Sequence, residues 1–583
     1  MTSTSANDPI MKEKDRKFYI FAILSVVIVL AFDVFFVSRK EGYHMDEILS
    51  YELSNSEFTP WITPTQPEGR LEKYYRAEIY SNNFKTLVSN LFSQISDVIK
   101  RRSASTAANY KADVFDTPQW MTSEDMIEYV TYYKRDSIPA LSAYYNTTTD
   151  NHPPLYFMLL NLVSAVYSLI AFGKLSVWPG CILNMAFMAG SLIIINLFFR
   201  DVVRRKYIGP VAALFYGLSP AGIETVLLIR MYAMTAFFCL AFTYIVFRKL
   251  QSKDGFDKKN KMLILITVLG FLTQYFVCIY YFFLIVSIAV YLAFGKKMKT
   301  ALKLIRTMII SAVWGLCLYP FVFHDLFGTR IGDSVMNSLS GFSGYADKLD
   351  AFTRIMASET MWSVTAACIV LILMGIGCVI AVCMRRMRAY APILCISSLG
   401  YLLTVGKIAP YTVDRYLMPV FPIVSICFTV GIAFSIIVPG DRFLKSAGFR
   451  KGLYRFALIL CTIMCIVFAL PYRPAYLFAG YSEQESLSER YASYDALVVY
   501  DGTGYYRNVP ELMNYRNCLL LKEDELDVYD ERLGSLDDLI VIEGIGVDRE
   551  SVMSELGNMY GFTSLTVLME EGVHGDRVCL LSK

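Results

Sequence analysis

The feature that most constrains this chain is a series of apolar runs, most of them close to the length that crosses a lipid bilayer. A run of about 20 apolar residues spans the hydrocarbon core, and the sequence holds about twelve candidates. The runs are Phe18 to Val37, Pro153 to Phe172, Val177 to Phe199, Tyr207 to Ile229, Met231 to Phe247, Met262 to Thr273, Val277 to Phe294, Ala301 to Phe323, Met361 to Cys383, Tyr390 to Val405, Tyr416 to Val438 and Tyr454 to Leu470. With 55% hydrophobic and 18% charged residues, the chain is too apolar for an ordinary soluble domain. It is predicted to be a polytopic α-helical membrane protein.

Basic clusters between the runs predict which connections face the cytoplasm. The first run follows Lys12, Lys14, Arg16 and Lys17, so residues 1–17 are predicted to be a cytoplasmic tail. The other clusters are Arg200 to Lys206, Lys258 to Lys261, Lys296 to Lys299, Arg385 to Arg388 and Arg442 to Arg455. The first long loop and the C-terminal region are then predicted to be extracytoplasmic. Two runs separate His152, placed outside, from Arg200, placed inside, so one of them is expected to be short, re-entrant or broken.

Two extracytoplasmic pieces are large. The first loop, Ser38 to His152, contains "FKTLVSNLFSQISDVIKRR", whose apolar residues recur at helical spacing. This helix is suited either to the bilayer surface or to packing on its own loop. From about Glu489 onward, short β-rich runs alternate with helical stretches, which predicts a small α/β domain with a mostly parallel sheet. Within it, "YDGTGYY" lacks the full phosphate-binding spacing and is interpreted as a turn.

The net charge of the chain and the positions of its cysteines limit the classes of function that the protein can have. The net charge of +3 is nearly neutral, so no overall field favours nucleic acid. Most of the 13 cysteines fall inside apolar runs, and neither a disulfide framework nor a zinc spacing is visible. The cytoplasmic connections are too short to fold alone. Any chemistry is therefore expected on the extracytoplasmic side.

Four short motifs stand at predicted outer positions. They are "GYHMDEILSYE" with Asp46 and Glu47 after the first run, "NHPPLYF" with His152 at the second, "LIRMYAM" with Arg230 between later runs, and "DRYLMPVFP" with Arg415 near the end. Alone, each motif has an ordinary interpretation: adjacent carboxylates in a loop are usually solvated, and an arginine at a helix end can be an interfacial anchor. A lone histidine at such a position is often a hydrogen-bonded end cap.

In this order, the motifs resemble those of the GT-C glycosyltransferases, specifically the protein O-mannosyltransferase-like superfamily that includes the lipid A aminoarabinose transferases. The resemblance covers roughly Lys17 to Pro471. It implies a GT-C transmembrane domain over residues 18–470, including the loop 38–152, followed by a separate extracytoplasmic α/β domain over residues 471–583. It also implies an inverting sugar transfer from a polyprenyl-phosphate carrier at the outer face of the cytoplasmic membrane. The acceptor is left open among a protein, a lipid and a cell-wall glycan.

In that scheme Asp46 is the expected general base, and Glu47 supports it or helps to bind the acceptor or a metal. A phosphate leaves as an anion, so it needs positive charge rather than a second acid, and an arginine fork suits it. Arg415 is the expected ligand of the carrier phosphate, with Arg230 or Lys407 as helpers; Arg330 is another arginine of the outer face. The remaining substrate-binding candidates are His152, Tyr232, Gln274 and Tyr416.

Two positions depart from the family pattern. Leu227 and Leu228 stand where relatives commonly have Gln-Glu, which weakens the case for Arg230. Gln274 stands where relatives often have a metal-holding histidine, and glutamine is a poor ligand for a transition metal. No cofactor is therefore assigned. A divalent metal stays open, and a zinc site would require His44 or His152 as a substitute.

Two other classes of function compete with glycosyl transfer. A lipid-linked glycan flippase or transporter predicts internal repeats and several intramembrane charges. The sequence shows no clear repeat, and its intramembrane charges are nearly limited to Asp33, expected to face the helix bundle, and Glu224. A surface polysaccharide polymerase or ligase shares the substrate class, but the motif order favours the glycosyltransferase. A receptor or adhesion role for the C-terminal domain stays open, although an anchor alone does not need so many segments.

Overall fold

The computed structural model describes residues 9–58, 62, 73–81, 83–99, 110–111, 117–133, 140–252, 255–257, 260–322, 344–372, 390–502 and 504–583. Several features of the sequence fall outside these ranges. They are Lys258 and Lys259, Phe323 at the end of its run, Arg330, the basic cluster from Arg385 to Arg388, and the second half of the run Met361 to Cys383. Every structural statement below concerns the described residues.

The described chain is a multi-pass helical membrane protein, as the apolar runs predict. Eight helices are long and apolar enough to cross a bilayer. They are Arg16–Val37, Trp178–Val203, Tyr232–Gln251, Phe276–Phe294, Met298–Leu318, Tyr390–Ile408, Phe421–Asp441 and Ala447–Ala469. Two further pairs qualify only when each pair is taken as one broken segment: Lys206–Gly217 with Pro220–Leu227, bent by 59°, and Tyr345–Met361 with Val364–Ile372, bent by 85°.

Two of the predicted crossings are short helices. Leu155–Tyr167 has 13 residues and Lys261–Phe271 has 11, against the roughly 20 that a crossing needs. The count of twelve crossings is therefore not confirmed. The expected odd segment between His152 and Arg200 is confirmed, and it is the first of the two runs that is short.

The described residues divide into two compact units. The membrane unit comprises residues 1–38, 151–156 and 181–475, and the loop unit comprises residues 39–150, 157–180 and 476–583. Most of the first loop thus clusters with the C-terminal region, and not with the spanning helices.

The first helix of the membrane unit packs closely against the helix that contains Gly217. A Cβ atom at Gly217 would lie 2.6 Å from the Val29 side chain, so only glycine permits this distance. Asp33, on the same helix as Val29, is 1% exposed. The expectation that Asp33 faces the bundle interior is confirmed.

A mixed six-stranded sheet forms the centre of the loop unit, in the order β1-β3-β2-β4-β6-β5. The strands are β1 Met121–Thr122, β2 Asp495–Tyr500, β3 Asn517–Lys522, β4 Asp538–Glu543, β5 Ser564–Met569 and β6 Arg577–Ser582. Only β3, β2 and β4 are parallel to one another, and the other pairings are antiparallel. The expectation of a mostly parallel sheet is wrong. Strand β1 comes from the first loop, so loop and C-terminal region share one sheet.

The loop unit also contains eight helices of 4 to 16 residues among the described ranges. They are Met45–Asn55, Phe84–Ile99, Ser123–Val130 and Leu141–Asn146 from the first loop, and Tyr481–Arg490, Val509–Leu512, Glu531–Ser535 and Arg549–Tyr560 from the C-terminal region. Every residue of β2 is buried, which explains its continuous apolar sequence. The predicted turn after β2 is confirmed by Gly502, whose φ of +62° favours glycine.

The predicted amphipathic helix in the first loop is present as Phe84–Ile99. Leu87 is 5% exposed, and Leu91 packs against a small cluster that contains Phe58 and Tyr75. Phe92 is 65% exposed. One apolar side of this helix is therefore occupied by its own loop.

Candidate functional site

Asp46 lies at the start of the helix Met45–Asn55, which we call the Asp46 helix. The preceding residue, His44, caps the helix by accepting the Asp46 N–H at its Nδ1 atom, at 3.0 Å. The Asp46 side chain is 15% exposed, and its Oδ2 lies 3.8 Å from the same Nδ1. Asp46 thus presents a partly accessible carboxylate where the helix dipole stabilises negative charge.

Glu47 has the opposite environment. Its side chain is fully buried, and Lys40 Nζ donates to its Oε2 at 3.0 Å. The same oxygen accepts the backbone N–H of His44 at 2.7 Å, completing a capping box. The two adjacent acids are therefore different in kind: Asp46 is partly accessible, whereas Glu47 is neutralised inside the unit.

Residues 476–482, which we call the clamp segment, hold the chain just before the Asp46 helix. Lys40 Nζ donates to the Tyr476 carbonyl at 2.7 Å and lies 4.9 Å from the centre of the Phe478 ring. The Glu41 N–H donates to the Leu477 carbonyl at 2.9 Å. No local pattern in the sequence indicates this arrangement, because more than 430 residues separate the partners.

In the membrane unit, the structure brings His152 and Arg230 together. Arg230 is 5% exposed, and its Nη2 lies 3.4 Å from His152 Nε2. Tyr232, two residues after Arg230, begins the spanning helix Tyr232–Gln251 and is 2% exposed. The motifs "NHPPLYF" and "LIRMYAM" thus meet, although they are far apart in the sequence.

The contact between these two motifs is supported by the buried side-chain amide of Asn184, a residue that lies in neither motif. Asn184 Nδ2 donates to the carbonyls of Val226 at 3.1 Å and Leu228 at 2.7 Å, just before Arg230. Asn184 Oδ1 accepts the hydroxyl of Tyr156, from the helix that follows His152, at 3.3 Å. Asn184 is one of two asparagines in the apolar run Val177 to Phe199. An amide inside such a run is the signal that could have revealed it, since a buried amide needs partners.

Gln274 lies in a connection next to the same helix start. The Leu155 N–H donates to the Leu272 carbonyl at 3.0 Å, which ties the "NHPPLYF" helix to this connection. Gln274 is 5% exposed, and its Oε1 accepts the Tyr275 N–H at 2.7 Å. Its amide oxygen is thus engaged in local structure.

Arg415 and Tyr416 form a short 3-10 turn with Asp414, whose Oδ1 accepts the Arg415 N–H at 2.8 Å. The Tyr416 ring packs edge-on against Phe276, two residues after Gln274, with 5.4 Å between ring centres. The Tyr416 carbonyl accepts the Tyr401 hydroxyl at 2.7 Å. These contacts fix the turn that carries the guanidinium of Arg415.

Lys407 lies at the end of the helix before this turn. Its Nζ is 5.6 Å from the centre of the Tyr345 ring, and Tyr345 in turn donates its hydroxyl to the Leu403 carbonyl at 2.9 Å. Lys407 is partly exposed. Its position is set by contacts with the helix Tyr345–Met361.

Acidic residues lie in the same unit as these cations. Glu224 is 3% exposed and accepts the Tyr472 hydroxyl at 2.8 Å and the Ala475 N–H at 2.6 Å. Burial raises the pKa of the Tyr472 hydroxyl, and the nearby carboxylates of Glu224, Glu359 and Asp414 raise it further. The neighbourhood of Arg415 therefore carries both signs of charge.

The predicted site residues are thus distributed over both units. His152, Arg230, Tyr232, Gln274, Lys407, Arg415 and Tyr416 lie in the membrane unit, and Asp46 and Glu47 lie in the loop unit. Within the described ranges, no group of three or more His, Cys, Asp and Glu side chains could hold a metal ion. The roles assigned to these residues stay predictions.

Comparison with known proteins identifies the fold. No family model and no curated protein matches the chain. Among solved structures, the chain is similar to the crystal structure of ArnT from Cupriavidus metallidurans bound to undecaprenyl phosphate, with a TM-score of 0.51. The match covers 96% of this chain and 97% of that chain, at 11% sequence identity. The fold is that of the GT-C glycosyltransferases.

The structure of the same ArnT in the apo state is also matched, with a TM-score of 0.44 and 12% identity over 74% of this chain and 87% of that chain. At such identities, the likeness concerns the fold alone. The chemistry must be argued from the residues.

Proposed function

We propose that this protein is a membrane glycosyltransferase that moves a sugar from a polyprenyl-phosphate carrier to an acceptor hydroxyl on the extracytoplasmic side. The observation that carries the proposal is the GT-C fold, together with an accessible carboxylate at Asp46 beside a neutralised Glu47. The similar ArnT structure holds undecaprenyl phosphate, which supports a carrier of that chemical class.

The proposed reaction is a single displacement. The acceptor oxygen attacks the anomeric carbon while its proton passes to the Asp46 carboxylate, which acts as general base. The bond from the anomeric carbon to the phosphate oxygen breaks, and its electron pair leaves with the polyprenyl phosphate. The anomeric configuration is inverted, because attack and departure take place on opposite faces.

A phosphate leaving group determines what else the site needs. A glycosidase requires a second carboxyl group to protonate its departing alkoxide, whereas a phosphate departs as a stable anion. Positive charge near the phosphate is therefore sufficient to stabilise the leaving group, and a guanidinium stays charged at every relevant pH. In this proposal Arg415 contacts the phosphate, and Arg230 and Lys407 add charge.

The buried Glu47 is suited to supporting Asp46. Its carboxylate accepts from Lys40 Nζ, and an oxygen of the same carboxylate accepts the His44 N–H. A carboxylate engaged in this way is a poor candidate for a direct ligand of the acceptor. Of the roles that the family resemblance implies for Glu47, the supporting role is the one that we adopt.

The test is transfer by the purified, reconstituted full-length protein. A panel of radiolabelled polyprenyl-phosphate sugars is supplied, and release of sugar from each carrier is measured together with carrier movement between leaflets. The proposal expects consumption of one carrier class. Lipid movement without sugar consumption would contradict it and favour a flippase, and growth of a polymer on the carrier would favour a polymerase.

The role of Arg415 is tested by comparing the activities of two variants. Arg415→Gln is expected to lower kcat/KM about 100-fold, because loss of one charge-stabilising contact in a dry site costs on the order of 3 kcal/mol. Arg490→Gln, at an exposed position of the loop unit, is the matched control and should retain wild-type activity. Equal activity of the two variants would show that Arg415 does not contribute to transfer.

A further inference from the structure

The ion pair between Lys40 and Glu47 calls for an explanation beyond stability. Both side chains are fully buried, and they meet at 3.0 Å. Taking two charges out of water costs about as much as their attraction returns, so an apolar pair in the same space is often equally stable. A buried pair of this kind is best explained by what it orients.

Both partners of the pair are connected to the start of the Asp46 helix. Glu47 accepts the His44 N–H, and His44 in turn accepts the Asp46 N–H. Lys40 is held from its other side by the Tyr476 carbonyl and the Phe478 ring. A continuous series of contacts therefore runs from the clamp segment through Lys40, Glu47 and His44 to the backbone of Asp46.

The clamp segment makes a second set of contacts with the residue after Lys40. A Glu41 carboxylate oxygen accepts the Gly480 N–H at 2.7 Å and the Ser482 hydroxyl at 3.2 Å. The Glu41 N–H donates to the Leu477 carbonyl. Both ends of Glu41 are thus bound to the same seven-residue segment.

Gly42 completes the arrangement by allowing close contact. A Cβ atom at this position would lie 2.8 Å from the Tyr481 ring and 2.9 Å from Phe478 Cβ. The Tyr481 hydroxyl donates to the buried carboxylate of Glu511 at 3.0 Å, so this ring is itself fixed by the C-terminal region. The chain over residues 40–42 therefore has little freedom to shift.

We propose that Lys40 and Glu47 are positioning residues for Asp46, and that the clamp segment of the C-terminal region sets their geometry. This inference rests on the proposed function, since it assigns a purpose to the loop around the general base. Near-attack geometry is sensitive to small displacements, so loss of the orienting pair lowers the rate of the chemical step while donor binding persists. The C-terminal region then acts in catalysis without contacting substrate.

The test compares the same substitution in two buried ion pairs of the loop unit. Glu47→Gln retains an oxygen for the His44 N–H but removes the charge that holds Lys40. The matched control is Glu543→Gln, because Glu543 is also fully buried and pairs with Arg577, across the sheet from β4 to β6. Each variant is assayed as full-length protein, at a temperature well below the unfolding midpoint of both.

For Glu47→Gln we expect kcat to fall about tenfold or more, with KM for the donor within about threefold of wild type. Glu543→Gln should keep kcat within about threefold. Equal losses of kcat in both variants, or no loss in Glu47→Gln, would overturn the inference.

A double substitution separates positioning from stability. Lys40→Met with Glu47→Met replaces the pair by apolar side chains and is expected to recover thermal stability relative to Lys40→Met alone. Its kcat should stay low, because the His44 N–H has lost its acceptor. Recovery of kcat together with stability would show that the pair only stabilises the fold.

Hydrogen exchange supplies a readout that does not need activity. Backbone amides of residues 44–48 should exchange faster in Glu47→Gln than in wild type, and unchanged exchange would contradict the positioning role. If wild type transfers no sugar from any donor, the proposed function fails. If wild type is active, and Glu47→Gln matches it in both rate and exchange, only the positioning inference fails.

Discussion

Arg230 and His152 lie 3.4 Å apart, measured from the guanidinium Nη2 to the imidazole Nε2. A guanidinium has donors and no acceptor, so in a hydrogen bond between these two atoms His152 Nε2 is the acceptor. The contact therefore relates the orientation of the Arg230 guanidinium to the position of the His152 ring.

The first prediction concerns this contact. His152→Ala should lower kcat/KM about tenfold, because Arg230 loses the acceptor that orients it towards an anion. His152→Gln should retain more activity, since its amide oxygen can accept from Arg230. Both are measured in the sugar-release assay. Equal activity of the two variants would indicate that the imidazole ring has some other role.

The second prediction concerns the buried amide that supports Arg230. Asn184→Asp has nearly the same shape but loses both N–H donors to the Val226 and Leu228 carbonyls. We expect the free energy of unfolding to fall by about 1–3 kcal/mol, the usual cost of leaving buried polar groups without partners. Thermal unfolding in detergent measures it. Asn558→Asp, at an exposed position, is the control and should be nearly neutral.

The third prediction uses Gly42. Gly42→Ala should destabilise the loop unit and slow transfer, because its Cβ would collide with Tyr481 and Phe478. Gly452→Ala places a methyl group in open space on a helix and should be neutral or stabilising. Transfer rates and unfolding midpoints of the two variants are compared. A fully active and stable Gly42→Ala protein would contradict the close packing described for residues 40–42.

The fourth prediction is a pH dependence of stability. Burial raises the pKa of the Glu511 carboxyl from 4.5 to about 8 in the folded state, and nearby Asp576 adds to the shift. The folded state then binds more protons than the unfolded state between these values, so stability falls as pH rises from about 4.5 to about 8.

Glu511→Gln should flatten this slope, because an amide does not titrate yet can still accept from Tyr481. Unfolding midpoints of wild type and Glu511→Gln, measured across this pH range in the full-length protein, test the point. An unchanged slope would mean that Glu511 is ionised in the folded state.

The fifth prediction concerns how the stability of the protein changes with pH at the acid end of the range. Burial lowers the pKa of the His574 imidazole to about 4, with help from positive charge at Arg507. The unfolded state binds the extra proton between 6.5 and about 4, so His574 contributes a loss of stability as pH falls through this window. This contribution is opposite in sign to that of Glu511 where the two windows overlap. His574→Gln should reduce the slope on that side. A persistent acid slope in the variant would assign it to other groups.

The sequence predicts the spanning helices well, because the cost of placing side chains in a bilayer depends on local composition. It also predicts the strands β2, β3 and β4, whose centres are continuous apolar runs. It places Asp46 and Glu47 in a loop, whereas they lie at the start of a helix. The bent and short helices were less visible, since 13 apolar residues such as Leu155–Tyr167 have the same composition as part of a crossing.

Contacts between distant residues account for what the sequence does not reveal. Lys40 meets Tyr476, Trp120 meets Asp530, and β1 is a strand of only two residues that exists because β3 lies beside it. No periodicity marks such partners. The order of the motifs makes both His152 and Arg230 candidate site residues. Only the folded structure reveals that Asn184 supports their contact.

The most direct test of the account is the transfer rate of Asp46→Asn compared with Asp527→Asn, an exposed carboxylate of the loop unit. The account predicts that Asp46→Asn lowers kcat by about 100-fold or more, because an amide cannot accept the acceptor's proton, while Asp527→Asn keeps the wild-type rate. Wild-type transfer by Asp46→Asn, from the donor that the native protein consumes, would contradict it.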